Sequence, residues 1–160
     1  MSLLDNDRYE WRDTYFVWFN HKNRPLLKDV ERAIARTPGH LTPTHGMADE
    51  SGRLEGLTIL SQEDHAAMEI RFVSGASVTA EAQELAKGVK PSDLPDARRL
   101  TDLKRANARF DVSHFEDVCV EDDEEGVGDD FDPSALMSVL ETLVGMTDGV
   151  AVDPQSGLLI

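Results

Sequence analysis

Hydrophobic and polar positions divide the chain into ten segments. Thr14-Tyr15-Phe16-Val17-Trp18-Phe19 is a β-branched and aromatic run without polar alternation, which predicts a central strand covered on both faces. Pro25 suits a first helical turn, and Leu27, Val30, Ala33 and Ile34 recur at helical spacing until Pro38-Gly39 ends the pattern. Residues 40–48, with two histidines, Pro43 and Gly46, follow neither period. Asp49-Glu50-Ser51-Gly52 is a turn signal ahead of Leu54-Glu55-Gly56-Leu57-Thr58-Ile59-Leu60, so a hairpin is expected there. Met68-Glu69-Ile70-Arg71-Phe72 alternates apolar and charged residues as a half-buried strand does. Ser61-Gln62-Glu63-Asp64 offers a competing capping-box reading just before it.

Helices are expected over about 78–87 and 96–108; on the second, Leu100, Leu103 and Ala106 share one face and Arg98, Asp102, Arg105 and Arg109 the other. A strand over 110–120 follows, with a change of phase between His114 and Phe115 that suggests a bulge. Asp132-Pro133 opens a helix carrying Leu136, Val139, Leu140, Leu143 and Val144 and stopping at Asp148-Gly149, after which a short hairpin or edge strand closes the chain. The order β-α-β-β-β-α-α-β-α-β predicts an α+β fold: a single two-layer domain over 1–160, loosely ferredoxin-like. Its sheet is expected to be mixed or antiparallel, with helices mainly on one face.

The segment Leu143-Val144-Gly145-Met146-Thr147-Asp148-Gly149-Val150-Ala151-Val152-Asp153-Pro154-Gln155-Ser156-Gly157 resembles the closing helix and strand of uncharacterised bacterial proteins, a domain of unknown function. The resemblance implies no activity and transfers no functional residue.

At 160 residues, 40% apolar and 29% charged, the chain has the size and composition of one globular domain. Its apolar runs fall short of the roughly 18–20 residues a bilayer requires, so no membrane partner is expected. Cys119 is the single cysteine and cannot form an internal disulfide, which points to a reducing cytoplasm.

Charge alters the picture more. The net charge is −15, Arg109 is the last basic residue, and fourteen acidic residues follow it. Such a surface repels nucleic acid and attracts cations or basic proteins. The expected partner is therefore a basic protein surface, docked by Glu121, Asp122, Asp123, Glu124, Glu125, Asp129 and Asp130 of an acidic loop at about 121–132. The competing expectation is that Arg98, Lys104, Arg105 and Arg109 neutralise this segment within the fold. Self-association remains open, since an exposed Tyr9 or Trp11 would mark an interface.

On a calcium-loop template Glu121, Asp123, Glu125, Asp129 and Asp132 fall at ligand positions around Gly126. The first and last ligands are exchanged in type and a strand precedes the loop, so weak divalent-cation association is expected rather than a dedicated site, and no other cofactor is predicted. His21, His40, His45, His65 and His114 show no helical pairing; a metal site or an enzyme centre built on His40, His45, His65 or His114 with carboxylates requires tertiary convergence. Cys119, among Glu116, Asp117, Glu121 and Asp122, is poorly placed to form a thiolate. Two functions follow: an acidic interaction domain, preferred, or a small-molecule or metal-dependent enzyme using histidines and carboxylates near the sheet.

Overall fold

The computed structural model describes residues 3, 6–90, 97–118 and 134–153. Strand β1 (Tyr9–Phe19) leads through a single 3-10 turn into helix α1 (Leu27–Ala35). Strands β2 (Leu41–Ala48), β3 (Leu54–Ser61) and β4 (Ala66–Ser74) form a meander. Helices α2 (Ala76–Lys87) and α3 (Ala97–Lys104), strand β5 (Ala108–Asp117), helix α4 (Ser134–Thr147) and strand β6 (Val150–Val152) complete the fold. The element order is the one read from the pattern, and the fold class is α+β.

The six strands form one sheet in the order β2-β3-β4-β5-β1-β6, and every pairing is antiparallel. The sheet is antiparallel, one of the two forms expected, and β5 and β6, joined through α4, run parallel to each other on either side of β1, the arrangement of a split β-α-β unit.

The distribution of helices differs from expectation. Val17, Phe19, Ile59, Ile70, Phe110 and Val112 pack against α1 and α4. Trp18, Val150 and Val152 point the opposite way and pack against α2 and α3 through Val78, Ala82, Ala86 and Leu103. Both faces of the β5-β1-β6 end are apolar, so each needs a cover, and the molecule is three layers thick there. The other edge strand, β2, carries Pro43 and two register shifts, features that blunt an exposed edge. This accounts for the ambiguous pattern of residues 40–48.

Two local expectations are corrected. Ser61-Gln62-Glu63-Asp64 makes the turn between β3 and β4; Ser61 Oγ accepts the Asp64 N–H at 3.3 Å as a cap would, but no helix follows. The bulge lies on β1, at Arg12 between Trp11 and Asp13, directly opposite Phe115 and His114. The changed phase on β5 arises because adjacent residues His114 and Phe115 are both buried, one on each face.

Candidate functional site

Among the described residues, α2 and α3 make their main sheet contacts with β4, β5, β1 and β6. The part of that face formed by β3, β4 and the middle of β5 and β1 carries Thr58, Glu69, Arg71, Ser113 and Thr14, which share one side by strand parity and register. The Thr14 and Ser113 hydroxyls lie 3.1 Å apart, and Arg71 Nε donates to Glu69 Oε1 at 3.0 Å. A cleft of about 390 Å³ opens here, lined by His45, Met47, Gly56, Thr58, Glu69 and Arg71. At its floor a Cβ on Gly56 would lie 2.6 Å from Met47 Cε, the end of a flexible, exposed side chain that can shift to make room.

At the turn end of the same face Leu3 fills an apolar seat made by Ala67, Phe115, Tyr9 and Leu60. Its backbone N–H donates to Glu69 Oε2 at 2.8 Å. A second cleft of about 380 Å³ continues past Tyr9 and Leu60 to Ser61, Gln62 and His65.

On the opposite face, the bulge at Arg12 aims Asp13 at His114. Nδ1 of His114 lies 3.3 Å from Oδ1 of Asp13, and the imidazole is only 3% exposed. Burial lowers the His114 pKa; Asp13 opposes that shift, Arg12 adds to it and Asp64 opposes it. Tyr15 hydrogen-bonds Asp13, and its phenol is pushed up by burial, then by the charges of Asp13 and Asp153. Asp64 accepts the backbone N–H of Ala135 at the start of α4, at 3.1 Å. Asp13 is 29% exposed and its Oδ1 makes no hydrogen bond among the described residues, so it acts on the buried imidazole as a neighbouring charge.

The remaining histidines do not join it. His40, His45 and His65 are exposed and have φ of 54°, 49° and 49°; His40 and His65 are left-handed turn residues, and His45 lies within β2 at the register shift between Thr44 and Met47. His40 Nε2 is 3.5 Å from Glu63 Oε1, an exposed pair. No group of three or more His, Cys, Asp or Glu is arranged to hold a metal ion among the described residues. Glu121, Asp122, Asp123, Glu124, Glu125, Asp129, Asp130 and Asp132, together with Cys119, lie outside the described residues.

The basic residues are also redistributed. Helix α3 stops at Lys104, and Arg109 belongs to β5, where it pairs with Asp111 at 2.7 Å and with Glu81 of α2. Arg8 meets Asp117 at 2.8 Å and Arg12 meets Glu116 at 3.0 Å. The acids of β5 are thus paired with its own Arg109 and with arginines from the β1 end of the chain. Asp13, Tyr15 and Glu69 escaped the sequence reading because none breaks its local pattern: Asp13 precedes the predicted strand, Tyr15 belongs to its aromatic run, and Glu69 fits the alternation of a half-buried strand.

No family model matches the chain, and neither a curated protein nor a solved structure matches it.

Proposed function

We propose that the protein is an acidic interaction domain that docks a basic protein surface through Glu121, Asp122, Asp123, Glu124, Glu125, Asp129 and Asp130. Charge separation carries this reading. The described residues hold twenty acidic and all sixteen basic residues of the chain, close to balance. The eight carboxylates of residues 121–132 have no basic residue among them. A cluster of one sign steers a partner of opposite sign and loses that advantage as salt rises. The test is the affinity for a lysine- and arginine-rich peptide, measured by calorimetry between about 50 and 200 mM salt. It should weaken steeply with salt, and weaken by about tenfold when Glu121 to Glu125 become amides. Salt-indifferent binding sinks the proposal. The same cluster is proposed to gather divalent cations weakly.

A second reading, an enzyme using a histidine and carboxylates beside the sheet, is favoured by the pairing of His114 with Asp13 near Tyr15. A small-molecule screen read by histidine NMR tests it: a ligand that perturbs the His114 imidazole and loses affinity in Asp13→Asn supports the enzyme reading. Ligands that perturb only exposed histidines count against it.

A further inference from the structure

Leu3 is held on the open sheet face by its backbone N–H as well as by its side chain. Its N–H donates to Glu69 and its carbonyl accepts from Asn6 N at 3.1 Å, the first of two turns that lead into β1. The side chain is 8% exposed, on a floor of fully buried Ala67 and Phe115. Glu69, 12% exposed, is itself oriented by Arg71. The clefts on either side of this seat are continuous with it in their walls: Glu69 also lines one, and Tyr9 and Leu60 also line the other. Leu3 is therefore the described segment of chain seated where the two clefts adjoin. The chemistry of that segment, one leucine side chain and one main-chain donor, states what the seat accepts.

We propose that the Ala67–Phe115–Glu69 seat is a peptide-binding site that the chain's own N-terminal segment occupies in cis. Its partner is an extended peptide presenting a leucine-sized side chain and an adjacent main-chain N–H to Glu69. The seat lies on the described sheet face and uses no residue of the acidic segment. Because the cis segment competes at high effective concentration, the intact chain binds such a peptide weakly, and releasing the segment unmasks the site.

The probe is a fluorescently labelled peptide of residues 1–8, titrated by anisotropy against the full chain and against full-length Leu3→Asp, with thermal melts verifying that each is folded. Leu3→Ala, a milder change, serves if Leu3→Asp does not fold. The released variant should bind about tenfold or more tightly than the unaltered chain, and adding Glu69→Gln should remove most of that gain. The same peptide with aspartate in place of its two leucines should not bind. Equal affinity for the folded variant and the unaltered chain, or no binding to either, overturns the proposal. A concentration-dependent dimer of the unaltered chain that Leu3→Asp abolishes also overturns it, since the segment would then sit on a second copy rather than in cis.

Discussion

His114 Nδ1 and Asp13 Oδ1 face each other at 3.3 Å across the β1–β5 ladder, at the one place where β1 bulges. Because burial holds the His114 pKa below its ordinary value, the folded protein favours the neutral imidazole, whereas the unfolded chain takes up a proton near pH 6.5. This contribution to stability is fully present above about pH 6.5 and is lost as pH falls through the folded pKa. His114→Gln should therefore flatten the acid side of the stability curve, while costing about 1–3 kcal/mol at pH 7.5 through lost polar pairing. Urea unfolding at pH 7.5 and 5.5 checks both effects; an unchanged acid limb means that His114 does not control it.

The acidic segment should act in the opposite direction. Mutual repulsion among eight carboxylates is relieved by protonation or screening, so that part of the stability rises as pH drops from 7 toward about 5. In His114→Gln, where the opposing contribution is gone, the melting temperature should be higher at pH 5.5 than at 7.5, and added salt or millimolar Ca²⁺ should raise it at pH 7.5. A fall on acidification that ignores salt shows that the segment is already neutralised.

Arg109 ties α2 to the sheet. It pairs with Glu81 and Asp111, and its guanidinium lies 4.9 Å from the Phe16 ring centre and 5.3 Å from that of Trp18. Lysine keeps the charge but not the planar fork or the stacking, so Arg109→Lys should cost about 1–2 kcal/mol and Arg109→Ala roughly 2–4 kcal/mol in urea unfolding. A loss from Arg109→Lys below about 0.5 kcal/mol would show that charge alone suffices.

The two glycines near the end of α4 should respond in opposite directions to alanine. At Gly149 a Cβ would lie 2.6 Å from Trp18 O and 2.7 Å from Thr147 Oγ1, so Gly149→Ala should destabilise by about 1–3 kcal/mol. At Gly145, inside the helix, a Cβ meets no atom within 4 Å, so Gly145→Ala should stabilise by about 0.5–1 kcal/mol. Thermal melts of the two single variants separate these outcomes; a destabilising Gly145→Ala would assign that glycine a packing role.

The sequence determined the elements and their order, because helix and strand periods, prolines and turn residues act over a few positions. Asp148 at φ 52° and Gly149, for instance, end α4 where the Asp-Gly signal placed its stop. It also held a hint about layers, since residues 14–19 read as a strand covered on both faces, yet the helices were expected mainly on one. Only tertiary structure decided that α2 and α3 cross to the far side, because Phe16 and Trp18 meet Val150 and Val152 from a strand more than 130 residues away. Neither the His114–Asp13 pair nor the Leu3 seat could be read from sequence. The first depends on a one-residue bulge in the partner strand, and the second on a hydrogen bond spanning 66 positions. Local propensity fixes what a segment becomes; register and packing between distant segments fix which polar groups meet.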